Sequence, residues 1–265
     1  MNVIDIKGVA LEIQLMDAQR VGQAPTLVFL HEGLGSVALW GGKHGSWPEA
    51  LCQALNLPGV VYSRQGYGQS APIADVRAAG RHGPDFMHIQ AWDVLPALLE
   101  QLGIQRPILI GHSDGGTIAL LHAARHRVSA CVVMAPHVKV EPISIASIEA
   151  AKTAFETGEL RARLARFHAD VDGAFWQWCD VWLSDAFRSF DIRPLCHDIL
   201  DPVLAIQGQD DVYGTLAQIN EIEPHGPIER LVLAQCGHSP HRDQRETVTA
   251  AITAFLRTRV SALRH

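Results

Sequence analysis

The sequence has no hydrophobic run of about 18 residues or more, so it offers no candidate membrane-crossing helix. Its first residues, MNVIDIKG, carry neither a basic start nor an apolar stretch of the kind that directs export, and the expected location is cytoplasmic. Cysteine is sparse: Cys52, Cys131, Cys179, Cys196 and Cys236 are odd in number, widely spaced and never arranged as CxxC. That pattern argues against a disulfide framework or a zinc knuckle and suits reduced thiols. Positive charge is not in excess either. The 22 Lys and Arg are outnumbered by 28 Asp and Glu, for a formal charge of -6, and they form no basic stripe, which argues against nucleic acid as a partner. Neither GxGxxG nor GxxxxGK[ST] occurs, so no nucleotide cofactor is expected. Repeats and low-complexity segments are also absent.

What the chain does have is a composition for a sizeable core, with 48% of its 265 residues hydrophobic and 19% charged. Short apolar, β-branched runs alternate with longer helical patterns, the signature of a mostly parallel sheet covered by helices. The expected strands are Thr26 to Leu30, Gly59 to Ser63, Pro107 to Ile110, Val128 to Ala135, Val203 to Gln207 and Arg230 to Ala234. Between them lie candidate helices at Trp47 to Leu55, Phe86 to Leu102, Gly115 to His126, Gly214 to Ile222 and Arg242 to Arg257. Asn2 to Ile6 and Val9 to Leu15, joined through Gly8, read as an antiparallel hairpin on the sheet edge. Residues 136–202 break the rhythm with a long helical pattern where a short connection would suffice, and read as a helical cap. Its Phe175, Trp176, Trp178 and Trp182 can pack the cap; Trp178 and Trp182, four apart on one helical face, can also roof an apolar pocket.

The chemistry concentrates at strand ends. After PILI comes Gly111-His112-Ser113-Asp114-Gly115-Gly116 and then a helical run, which is GxSxG in the strand, turn, helix setting of a nucleophile elbow. The glycines leave room for a tight turn, and the serine sits where helix amides favour developing negative charge. A serine hydroxyl needs a base and a carboxylate to orient that base. Asp210-Asp211 follow the strand VLAIQG, and His238 follows LVLAQ through Cys236-Gly237, giving the chain order Ser, Asp, His. His241 stands three residues beyond His238, but no third clustered ligand accompanies the pair, so a metal site is not expected.

On these motifs the chain resembles α/β-hydrolase fold proteins with a helical cap over essentially its whole length. His31-Glu32-Gly33-Leu34-Gly35 is similar to their HGxG, Ser63 to Ser70 to their DxRGxGxS, and Gly208 to Asp211 to their GxxD. The resemblance implies a mostly parallel central sheet flanked by helices, a core of residues 1–135 and 203–265, and an inserted cap of 136–202. It implies Ser113 as nucleophile, His238 as base, Asp211 rather than Asp210 as acid, and an oxyanion hole from the backbone N–H groups of Gly33 and Asp114. His112 then packs under the elbow and His31 buttresses the oxyanion loop, while His44, His82 and His88 receive no role. Two departures stand out: Glu32 replaces a glycine, and Asp114 puts a carboxylate beside the nucleophile.

The expected activity is therefore that of a cofactor-independent serine hydrolase cleaving a small or medium, largely apolar carboxylic ester through an acyl-enzyme, its partner being that small-molecule substrate. Lactones and thioesters present the same carbonyl. Similar dehalogenases and epoxide hydrolases use an aspartate where Ser113 stands. Carbon–carbon hydrolases of ring-fission products carry a small or apolar residue after the serine and a tryptophan after the histidine; Asp114 and Ser239 disfavour that alternative. A lyase or a ligand receptor on the same fold is the non-hydrolytic alternative.

Overall fold

The computed structural model describes residues 2–42, 45–260 and 263; His44 lies outside them. Eight strands form one sheet in the order β1-β2-β4-β3-β5-β6-β7-β8. They are β1 (Asn2–Ile6), β2 (Val9–Met16), β3 (Leu27–Leu30), β4 (Gly59–Tyr62), β5 (Ile108–His112), β6 (Ala130–Met134), β7 (Val203–Gly208) and β8 (Ile228–Leu233). β1 pairs antiparallel with β2 and β2 with β4, while all pairings from β4 through β8 are parallel. The hairpin turn between β1 and β2 has positive φ at both Lys7 and Gly8, the backbone that matches the twist of the flanking strands.

The inner parallel strands read as largely apolar runs because both their faces are covered, whereas the edge strand β8 keeps Glu229 and Arg230. Val28 and Leu30 enter one core with Val60, Leu109 and Val133, whereas Leu27 and Phe29 enter the opposite core with Val61, Ile110 and Val132. On the second face lie α1 (Trp47–Leu55) and α11 (Arg245–Arg259). The first face receives α2 (Phe86–Ile89), α3 (Leu95–Gln101) and α4 (Asp114–Ala123). All ten residues of α4 are buried, and apart from Asp114, Thr117 and His122 they are apolar or glycine on every side of the helix.

Three expected helices take a different course. The run from Phe86 to Leu102 contains a π turn at Gln90–Val94, where the Leu95 N–H donates to Gln90 O. Pro96 follows at once; it has no N–H for an α-helical bond to Trp92, so the helix widens just before it. Of Gly214 to Ile222, only α9 (Ala217–Asn220) is helical. Glu141 explains this by accepting from Thr215 N (2.9 Å) and Thr215 Oγ1 (2.7 Å), which holds the approach to the helix in another path. The last helix is divided into α10 (Pro240–Asp243) and α11 at Gln244, whose φ of -135° and ψ of 53° are non-helical.

Between β6 and β7 the chain forms α5 (Pro142–Glu156), α6 (Glu159–Leu164), α7 (Val171–Trp182) and α8 (Arg193–Cys196). Phe155 of α5 stacks on Phe175 of α7 with ring centroids 3.8 Å apart, tying the two helices together. No helix among the described residues is long and apolar enough to cross a membrane.

Asp201 closes the far end of the sheet. It accepts from Arg127 Nε (2.8 Å), Arg106 Nη2 (3.0 Å) and the buried Val128 N–H (2.9 Å). Burial raises its pKa, but the Arg127 hydrogen bonds and the Val128 N–H outweigh burial and hold the carboxyl below its usual range. Asp201→Ala leaves the Val128 N–H without an acceptor and should cost about 2 kcal/mol. Because the folded pKa is depressed, this contribution is present above about pH 4 and is lost as the pH falls through the folded value. Urea titrations should show the full gap to wild type at pH 7 and a narrowing gap below pH 4; a gap independent of pH would contradict the ionised role.

Candidate active site

β5 runs on through Gly111 and His112, past the expected end of the strand, and Ser113 then turns the chain directly into α4. Ser113 has φ +53° and ψ -121°, a conformation disfavoured for a side-chain-bearing residue and held here by its surroundings. Glycine is required on both sides: a Cβ at Gly111 would strike Gly115 O and Gly116 Cα, and one at Gly115 would strike Leu30 O. The Ser113 N–H donates to Met134 O of β6 (2.9 Å), which fixes the turn against the neighbouring strand.

Three side chains from three strand ends meet at this turn. Ser113 Oγ lies 2.9 Å from His238 Nε2, and His238 Nδ1 lies 2.9 and 2.8 Å from Asp211 Oδ1 and Oδ2. Asp211 also accepts from Tyr213 N (2.8 Å) and Gln207 Nε2 (2.7 Å). Its burial raises the carboxyl pKa, yet the hydrogen bond and charge of His238 and the Tyr213 N–H bring it below the usual carboxylate range. Asp210, its neighbour, is exposed. The loop carrying His238 is shaped by Asp243, which accepts from the Gly237 N–H (2.8 Å).

The two departures in the sequence take different places. His112 Nδ1 lies 2.7 Å from Glu32 Oε2, and its Nε2 lies 2.6 Å from His238 O. Both neighbours are acceptors, so the buried ring satisfies them only by donating from both nitrogens. Burial opposes ionisation of Glu32, but the His112 charge and hydrogen bond, joined by Arg242, hold its carboxyl well below its usual range. These two hydrogen bonds join the loop after β3, the Ser113 turn and the loop of His238. Asp114 has no such charged partner in contact: its buried carboxylate lies against the Trp182 indole, whose N–H draws its pKa down. Burial pushes this carboxyl up to about 6, against the pull of the Arg64 charge.

Gly33 lies in the loop after β3, where a Cβ would strike the Trp178 indole. Neither its N–H nor that of Asp114 has an acceptor among the described residues, and at Asp114 this follows from its place at the start of α4. His31 stiffens the loop: its Nδ1 faces Glu32 O (2.7 Å) and its Nε2 accepts the Arg64 N–H (3.0 Å). Burial, then the Arg64 charge, drive its pKa well below the ordinary value, which agrees with a neutral ring donating through Nδ1. Arg64 also donates to His31 O (2.6 Å) and Glu32 O (2.9 Å).

Ser113 and His238 open on a cavity of about 220 Å³, with Trp178 and Trp182 on its wall. Leu34, His137, Ile148 and Tyr213 line it as well and were not singled out by sequence. For His137 a signal existed, since it follows shortly after a parallel strand, where such folds place ligand contacts. Burial and the charge of His238 lower its pKa to about 3. A larger depression of about 960 Å³ along α11 has no serine, cysteine or histidine in its wall. His241 packs among Trp40, Trp47 and His112. His82 pairs with Gln177 Oε1 (3.1 Å), and His88 packs on Trp92.

An eight-stranded sheet of this topology, with a sharp strand-to-helix turn at Ser113 after β5, defines an α/β-hydrolase fold. The chain belongs to the alpha/beta hydrolase family, whose model matches residues 27–251. Among curated proteins none matches the sequence. Solved structures of similar fold include the enol-lactonase from Burkholderia xenovorans LB400, at 21% identity and TM-score 0.72 over 96% of this chain and 99% of that one. A thermophilic esterase from Thermogutta terrifontis shares 18% identity at TM-score 0.72 over 98% of this chain and all (100%) of the other. A hydrolase from Pseudomonas aeruginosa PA01 shares 18% at TM-score 0.70 over 96% and 97%.

Proposed function

We propose that the protein is a cytoplasmic, cofactor-independent serine hydrolase that cleaves a small carboxylic ester through an acyl-enzyme, with residues 136–202 as its cap. The observation that carries this reading is the hydrogen-bonded chain Ser113–His238–Asp211 at the mouth of the cavity. His238 Nε2 takes the Ser113 proton as Oγ attacks the carbonyl carbon, then returns it to the leaving alkoxide. Asp211 holds the Nδ1–H and stabilises the imidazolium that forms. The Gly33 and Asp114 amides receive the developing oxyanion, and a water activated by His238 releases the acid. Trp178 and Trp182 cover the acyl group.

Size sets the substrate range. A volume of about 220 Å³ falls below the roughly 300–1,000 Å³ usual for small-molecule sites. Across p-nitrophenyl esters from acetate to octanoate, kcat/KM should peak at acetate to butyrate and fall by at least about tenfold at octanoate, which corresponds to about 1.4 kcal/mol. A fluorophosphonate should label Ser113 covalently. Turnover by a protein that resists labelling would sink the serine mechanism, and a preference for octanoate would sink the small-substrate reading.

A further inference from the structure

The two cavity tryptophans use their indole N–H groups differently. Trp182 is 1% exposed, and its N–H is sealed in the wall against the Asp114 carboxylate. Trp178, one turn earlier on α7, is a buried residue of the same wall, yet its Nε1 is not shut off from solvent and makes no hydrogen bond among the described residues. Indole N–H groups in protein interiors normally find an acceptor, as those of Trp47 and Trp92 do in Thr249 Oγ1 (3.0 Å) and Leu121 O (2.9 Å). Trp178 therefore keeps an open donor at the cavity.

That donor is aimed. The three atoms nearest to a Cβ built on Gly33 are Trp178 Nε1 at 2.2 Å, Cδ1 at 2.5 Å and Cε2 at 3.0 Å. Cδ1 and Cε2 are the carbons bonded to Nε1, so the N–H corner of the ring is the part turned to Gly33. Gly33 lies in the same wall, and its own N–H has no acceptor among the described residues. Two donors thus stand side by side, one from the loop after β3 and one from α7. In the free protein water can satisfy both. An ester that fills about 220 Å³ displaces that water, and each N–H then keeps a hydrogen bond only if the ester supplies an acceptor. Alkyl groups supply none. The carbonyl oxygen supplies one, and it becomes a far stronger acceptor when attack on the carbon leaves it negatively charged.

We propose that the Trp178 indole N–H is a third oxyanion donor, acting beside the Gly33 and Asp114 amides. The proposal rests on the serine-hydrolase reading, which identifies the oxygen concerned. It makes Trp178 a catalytic residue as well as a cover for the acyl group.

The decisive variant replaces the Trp178 indole by benzothiophene, through site-specific incorporation of benzothienylalanine, which keeps the ring outline and puts sulfur in place of the N–H. Trp178→Phe is its coarser companion. The readouts are kcat and KM for p-nitrophenyl butyrate and Ki for 1,1,1-trifluoropentan-2-one. In the ketone adduct the Ser113 oxygen bonds to the carbonyl carbon, the Ser113 proton passes to His238, and the π electrons of the carbonyl stay on its oxygen as a negative charge. Loss of the N–H should lower kcat at least about tenfold with KM within about twofold, and Ki should rise by the factor by which kcat falls. A ring that only covers the substrate would instead raise KM when altered and leave kcat unchanged. The proposal is overturned if the benzothiophene protein keeps the wild-type kcat and Ki, or if the whole effect lies in KM. Should Trp178→Phe not fold, the benzothiophene protein decides alone, because its outline is native. Failure of the parent reading looks different. Ketone affinity that survives Ser113→Ala removes the serine mechanism and the donor with it, whereas Ser113-dependent affinity that benzothiophene leaves unchanged removes the donor alone.

Discussion

Ser113→Ala is expected to lower kcat by about a thousandfold to a millionfold on the best small ester while the protein stays folded. The side chain hydroxyl has one partner, His238 Nε2 at 2.9 Å, and that interaction contributes to proton transfer rather than to packing. The backbone at this position already stands at φ +53°, and alanine meets that conformation no worse than serine does. Unfolding in urea should therefore show a midpoint close to wild type. Because the oxygen bonds to substrate only along the reaction path, kcat and kcat/KM should fall together with KM nearly constant. A variant that kept most of its kcat would place the nucleophile elsewhere, and a fall confined to KM would make Ser113 a binding residue. The remaining activity over water would measure what the Gly33 and Asp114 amides supply without the nucleophile.

The readability of this site follows from how local each constraint is. Ser113 was legible because its turn demands glycine at 111 and 115 in a short stretch of sequence, and those demands are visible in the collisions a Cβ would make there. Asp211 and His238 were legible by their position after β7 and β8, whose apolar runs mark the strand ends. The π turn was signalled by Pro96 inside a helical pattern, but the strong apolar period around it concealed the break. The His112–Glu32 pair carried no signal at all. It joins residues separated by eighty positions (|i−j| = 80), and only the sheet, by placing β3 beside β5, brings them within 2.7 Å. The shortened α9 has the same kind of cause, since the side chain that holds its approach, Glu141, comes from another part of the chain. Trp178 and Trp182 lay between these cases: their shared helical face was readable, whereas the polar groups that accompany them in the cavity wall were not.

Asp211→Asn tests whether the acid acts through the tautomer of His238. In the native protein every neighbour of Asp211 donates to it: His238 Nδ1, the Tyr213 N–H and Gln207 Nε2. An asparagine keeps one acceptor oxygen and introduces an NH2 group on the other side. Its oxygen is held by the Tyr213 N–H, which cannot turn, so the NH2 group faces Gln207. Gln207 can receive it by reversing its amide, at the loss of its hydrogen bond to Gly214 O (3.2 Å). The new NH2 group also faces His238 Nδ1, which then accepts rather than donates and leaves the proton on Nε2. A ring protonated at Nε2 cannot take the Ser113 proton, and in the well-studied serine proteases the corresponding change lowers kcat about ten-thousandfold with geometry intact. A fall of about that size is expected here, with Ser113 labelling by fluorophosphonate slowed in parallel and KM little changed. Folding should weaken only modestly, because the replacement keeps the shape of the site and loses an ionised acceptor rather than opening a cavity. If kcat stayed within about tenfold of wild type, the carboxylate would be an orienting group of small effect, and His238 would have to be held by its backbone contact to His112 instead.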